Sequence, residues 1–178
     1  MVKKGTILED RYGNTFEFVE VSTETNGHHT KLKVCLQPNQ LALACHCHEK
    51  SDEIYEILEG ELTYEVNHKK MIVSSGETII LPKAQAHRHY NESDKPVVMY
   101  YTITPSYDIE PLIETMITMW QNGKIRNGNA NFLQSMVWVN YMESKIYFEG
   151  LSQKTQNFLA YILAPIASVF GYKKFYHN

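Results

Sequence analysis

Between residues 14 and about 105, apolar and polar side chains alternate in short runs. These are "TFEFVEV", "KLKVCL", "EIYEIL", "ELTYEV", "KMIVS", "ETIIL" and "VVMYYTIT". Turn signals separate them at Asn26-Gly27, Pro38-Asn39, Gly60, Asn67, Ser74-Ser75-Gly76 and Asp94. A period of two with frequent turns and no helical stretch between runs predicts an antiparallel sandwich or barrel. After Pro105 the period lengthens. "DIEPLIETMITMWQNG" predicts a helix capped at Asp108 and ended at Gly123, with Leu112, Ile113, Met116, Met119 and Trp120 on its apolar face. "NANFLQSMVWVNYMESKIYFEG" predicts a second helix ending at Gly150. The third, capped at Ser152 and kinked at Pro165, carries Phe158, Leu159, Ile162, Leu163, Ile166, Val169 and Phe170. The internal boundary falls near residue 106, giving a β unit over residues 1–105 and a helical extension over 106–178.

Composition narrows the class. The chain has 178 residues, is 43% hydrophobic and 21% charged, and carries a net charge of −3. That is enough chain for a substantial core, and there is no basic footprint for nucleic acid. Three cysteines and an N-terminus without an apolar signal segment point to a reducing, cytoplasmic setting. No apolar run is long enough to span a membrane; the nearest, "FLAYILAPIASVFGY", is interrupted by Pro165.

The chemistry concentrates in "CHCHEKSDEIYEILEG", residues 45–60. On a strand, alternate side chains share a face, so Ala42, Ala44, His46 and His48 fall on one side. Leu41, Leu43, Cys45 and Cys47 fall on the other. Four adjacent residues therefore cannot converge on one ion, and Cys-x-Cys lacks the spacing of thiolate zinc sites. The apolar cysteine face calls for a cover, which makes Cys45 and Cys47 small buried hydrophobes. On the histidine face the short "EKSD" turn brings Glu53 back from the next strand. A second group follows in "GETIILPKAQAHRHYN", with His87, His89 and Asn91 at alternate positions.

Together the two segments resemble the cupin family, whose motifs are G-x5-H-x-H-x3,4-E-x6-G and G-x5-P-x-G-x2-H-x3-N. The match covers residues 40–91, and the flanking strands extend it to about 14–105. Gln40 and Ala84 stand where the family has glycine. The resemblance implies a double-stranded β-helix, a jelly-roll barrel, here with about three C-terminal α-helices. It also implies one divalent metal ion (Zn, Fe, Mn, Ni, Co or Cu) held by His46, His48, Glu53 and His87, with one or two positions open to water or substrate. Tyr55 and His89 are expected to point inward beside the metal, as catalytic residues or as packed ones.

Function divides three ways. One is a metal-dependent small-molecule enzyme of oxygenase, isomerase or lyase type. Another is a non-catalytic module that binds or senses a small molecule. In the third, the helical tail docks to a membrane surface or a protein partner, since its apolar stripe ends in "GYKKFYH". The helices are expected to pack on the barrel, and a homodimer is expected.

Overall fold

The structure is a computed structural model and describes residues 2–41, 44–125 and 128–176; the expectations for Ala42, Leu43 and the Leu41 side chain lie outside it. Two antiparallel sheets face one another. The first runs in the order β1 (Ile7–Glu9), β2 (Thr15–Glu20), β3 (Thr30–Leu36), β11 (Val97–Thr104), β6 (Asp52–Glu59), β9 (Thr78–Leu81). The second runs β12 (Ile146–Phe148), β5 (His46–His48), β10 (His87–Asn91), β7 (Glu61–Val66), β8 (Lys69–Ser74), with β4 (Gln40–Leu41) also on β10. All seven strand runs of the sequence reading are present, and the fold is the expected jelly roll with three helices: α1 (Ile109–Gln121), α2 (Phe132–Tyr141) and α3 (Gln153–Val169).

Alternation decides which residues fill the barrel. Leu32, Val34 and Leu36 on β3, Tyr55 and Ile57 on β6, and Val97, Met99 and Ile103 on β11 are all buried and form one core with Phe18 and Leu62. Helix α1 adds Ile109, Leu112, Ile113, Ile117 and Trp120 to that same core, so it closes an end of the barrel. Glu110 fixes its first turn. Its buried carboxylate accepts from Ser22 N, Ser22 Oγ and Thr30 Oγ1.

The second predicted helix is cut short. Helix α2 ends at Tyr141, and Ile146–Phe148 instead form β12, paired antiparallel with β5. Asp108 explains the break. Rather than capping α1, its carboxylate accepts from the backbone N–H of Glu143 and Ser144, groups that a continuing helix would bond internally. The strand 41–48 is likewise interrupted, since Ala44 and Cys45 lie outside any strand before β5 begins. Cys47 is buried under Met136, Val139, Tyr147 and Ala160, the cover its face required; Cys45 is half-buried.

Helix α3 runs unbroken through Pro165, and its Ser152 cap accepts from Thr155 N as expected. Its packing differs from the expectation. The buried residues are Gln156, Ala160, Ala164 and Ala167, with Leu159 and Leu163 partly buried beside them, while Phe158, Ile162, Ile166, Val169 and Phe170 face solvent. The described tail straps α1 to α2 and α3. Lys174 pairs with Asp108 at 3.0 Å, Tyr176 N donates to Thr115 Oγ1, and Trp138 Nε1 donates to the Lys174 carbonyl. Among the described residues no helix is long and apolar enough to cross a membrane.

Two backbone positions account for glycines in the expected motifs. Gly60 has φ +80°, and a Cβ there would lie 2.6 Å from the Pro96 carbonyl oxygen. Ala84 also has positive φ, +63°, without being glycine. At the first motif, Asn39 rather than Gln40 takes the left-handed conformation (φ 56°), so the turn has moved by one residue onto a side chain that tolerates it. Gly60→Ala is expected to cost about 2–4 kcal/mol, because strain and a backbone clash add. Ala84→Gly should instead stabilise by up to about 1 kcal/mol. Urea-unfolding midpoints of the two variants check the opposite signs.

Candidate metal centre

Three strands bring four side chains to one point. His46 and His48 come from β5, Glu53 from the start of β6 and His87 from the start of β10; His46 and His87 are direct cross-strand partners. All four are buried, and one donor atom from each lies within 4.8 Å of all the others. Donors about 2.1 Å from a shared ion stand roughly 3–4 Å apart, so a modest contraction would suit a cation.

The imidazole tautomers are fixed by their surroundings. His46 Nδ1–H donates to the Ala44 carbonyl and His87 Nδ1–H to the Gln85 carbonyl, each at 2.8 Å. Each ring, when neutral, therefore turns a lone pair on Nε2 towards the cluster, the orientation a metal ligand needs. His87 Nε2 lies 2.9 Å from Glu53 Oε2 yet makes no directed hydrogen bond, and His48 Nδ1 is buried without a partner. An unpartnered His87 Nε2 beside the Glu53 carboxylate is what a bound cation would satisfy. Among the described residues, this donor set fits one divalent ion.

Glu53 is the hub. Oε1 lies 3.0 Å from His48 Nε2 and accepts from Tyr101 Oη at 2.6 Å. Oε2 lies beside His87 and accepts from Tyr55 Oη at 2.7 Å. Burial works against its charge, but His87, His48 and their contacts outweigh that and hold the carboxyl well below its usual range. Burial would lower His87 as well; the Glu53 charge reverses this and raises it. His46 is pushed well below 6.5, by burial first and then by His87 and His48. Tyr55 and Tyr101 are driven well above 10, chiefly by burial and then by Glu53. Both phenols therefore stay protonated as donors.

Tyr55 is wholly buried behind Glu53, and its Oη also lies 3.0 Å from His89 Nδ1. Because Tyr55 spends its proton on Glu53, His89 Nδ1–H is the donor in that contact. His89 is half-buried and lowered to about 4, mainly by burial. His46, His48, Glu53, His89 and Tyr101 face a cavity of about 80 Å³. Its other walls are apolar: Phe16, Val34 and Met99 from the barrel, Ile146 from β12, and Ile109, Leu112, Ile113, Met116, Ile117 and Trp120 from α1. The sequence reading missed Tyr101. The Val97-Met99-Tyr101-Ile103 alternation carries the signal, but β11 sets a tyrosine on each face, Tyr100 and Tyr101. Asn91, expected to follow His89 inward, is buried and donates to the Leu36, Gln37 and Lys95 carbonyls, tying β10 to the end of β3.

Residues 32–103 match the family model described as Cupin domain. That stretch of the barrel is a cupin domain. Helices α1–α3 and β12 lie outside that matched stretch of the cupin. KdgF from Halomonas sp. shares the fold at 16% identity and TM-score 0.51, over 59% of this chain and 92% of that one. TT1209 from Thermus thermophilus aligns at 26% identity and TM-score 0.47, over 54% of this chain and 90% of that one. A predicted oxalate decarboxylase from Thermotoga maritima aligns at 19% identity and TM-score 0.49, over 59% and 99%. No curated protein matches the chain in sequence.

The pH dependence of the metal-free protein follows from these shifts. His46 and His89 are lowered when folded, so below 6.5 the unfolded chain binds protons that the native state refuses. Stability should fall as pH drops from 6.5 towards 4, each histidine adding a slope of up to about 1.4 kcal/mol per unit. Glu53, lowered when folded, adds further loss as pH falls through its folded value. His87, raised when folded, has the opposite sign: its contribution is present below 6.5 and lost as pH rises through its folded value. Denaturant unfolding measured across this range checks the curve; a flat acid limb would contradict it.

Proposed function

We propose that this cupin domain holds one divalent metal ion through His46, His48, Glu53 and His87 and acts there on a small molecule as a metal-dependent enzyme of oxygenase, isomerase or lyase type. The observation that supports this most is a buried, ionised carboxylate among three imidazoles at the wall of an otherwise apolar cavity. A divalent ion bound there supplies Lewis acidity towards an oxygen of the substrate. Tyr101 and Tyr55 hold the two oxygens of Glu53. His89, neutral at pH 7, accepts a proton or hydrogen bond from the bound molecule, and Tyr55 positions it.

Charge and size narrow the substrate. One carboxylate leaves a divalent ion with residual positive charge, and among the described residues the cavity lining offers no Lys or Arg. At about 80 Å³ the cavity is roughly half the size of one that takes benzene (about 150 Å³). The substrate is therefore a short, largely apolar monoanion rather than a sugar phosphate. A non-catalytic binding role is the second reading, favoured by the low basicity of His89. Free thiols at Cys35, Cys45 and Cys47 suit a reducing, cytoplasmic compartment.

Cobalt-loaded protein tests the reading. Its visible spectrum should respond to azide and to short aliphatic monocarboxylates but not to sugar phosphates; no response to any of them would contradict an open, ligand-exchanging ion. Tyr101→Phe should weaken cobalt binding about 10–100-fold, as removal of a group orienting a ligand does. His89→Gln should leave cobalt affinity unchanged while abolishing any turnover. Turnover that survives His89→Gln would remove that residue from the chemistry.

A further inference from the structure

Helix α3 is amphipathic with its packing inverted. The face against α2 centres on the fully buried Ala160, Ala164 and Ala167, flanked by the partly buried Leu159 and Leu163. The opposite face carries the large side chains. Phe158 is 65% exposed, Tyr161 75%, Val169 85% and Phe170 75%, with Ile162 and Ile166 between them. At spacings of three and four they form one stripe along the helix. Taking about 200 Å² for a whole aromatic and somewhat less for an aliphatic side chain, the stripe presents on the order of 700 Å² of apolar surface. Ordinary monomers leave open patches of about 300–600 Å², and each partner of a standard interface contributes about 800 Å².

Charge selects the occupant. Between Lys154 and Lys173 no side chain is ionisable to a cation or a carboxylate. Interfacial helices that bind anionic lipid carry clustered Lys and Arg beside the apolar face. Here a single lysine stands near each end of the stripe, Lys174 is paired with Asp108, and the chain is net negative. An uncharged apolar stripe can instead meet its own copy across a two-fold axis without like-charge conflict. We propose that α3 packs against α3 of a second copy of this chain, forming a homodimer with Ile162 and Ile166 nearest the axis.

This interface reaches the metal centre through hydrogen bonds. Gln156 on α3 donates from Nε2 to the Phe148 carbonyl and accepts from Phe148 N with Oε1, which fixes β12. Strand β12 in turn pairs with β5, which carries His46 and His48. Dimerisation therefore buttresses the strand that presents two of the four cluster residues.

Light scattering and sedimentation of the full chain at micromolar concentration test the proposal. The mass of two chains is expected. Val169→Asp and, separately, Tyr161→Glu should each give a folded monomer, since both side chains already lie in solvent. Ile80→Glu, at an exposed site on β9 (62%), should leave the dimer intact. A monomeric parent, or a dimer unaffected by Val169→Asp, would overturn the proposal. So would a monomeric parent that co-sediments with phosphatidylcholine–phosphatidylserine vesicles. If Tyr161→Glu fails to fold, Val169→Asp alone decides.

Discussion

The buried charge of Glu53 is the constraint around which the barrel interior is arranged. A lone carboxylate removed from water costs several kcal/mol, so it persists only where donors or cations surround it. Both of its oxygens are engaged, one by Tyr101 and His48, the other by Tyr55 and His87. Those partners come from β11, β5, β6 and β10, so the carboxylate couples the two sheets. The tyrosines satisfy it by hydrogen bonding but bring no charge. Positive charge must come from a protonated His87 or from a metal ion, and a metal would displace that proton on binding.

The apolar roof sharpens this electrostatic choice. Helix α1 lays Leu112, Ile113, Met116 and Trp120 over the cluster and leaves a small space lined by carbon. Among the described lining residues, a polar atom of a ligand finds its partner at the cluster, at His89 or at Tyr101. The roof is held from outside. Glu110 ties the start of α1 to the β2–β3 connection, and Asp108 gathers α2, β12 and the tail around the same turn. The segments beyond the cupin stretch thus shape the cavity as well as extend the core.

Much of this was legible in the sequence. Period-two runs gave the strands, and the spacing of His46, His48, Glu53 and His87 gave the cluster, because a strand's alternation is rigid enough to carry a side chain's direction. Tyr101 was not legible, since Tyr100 and Tyr101 stand on opposite faces of β11 and its alternation was too mixed to say which turns inward. Strand β12 was hidden because Ile146, Tyr147 and Phe148 follow a helical stretch with no Gly or Pro between. The stop comes from Asp108, thirty-odd residues earlier. For α3, periodicity found the apolar stripe but not its direction. Burial there follows the small alanines, which let two helices approach closely, with Leu159 and Leu163 beside them, and the aromatic and remaining aliphatic side chains are left outside.

Elemental analysis of untagged protein, purified without chelator and set beside Glu53→Gln, tests the central claim most directly. About one divalent metal ion per chain in the parent, lost in Glu53→Gln, is the expected result. A metal-free parent that stays empty after reconstitution with Zn, Fe, Mn, Ni, Co and Cu in turn would contradict it. His87 protonated against Glu53 would then be the cluster's resting form.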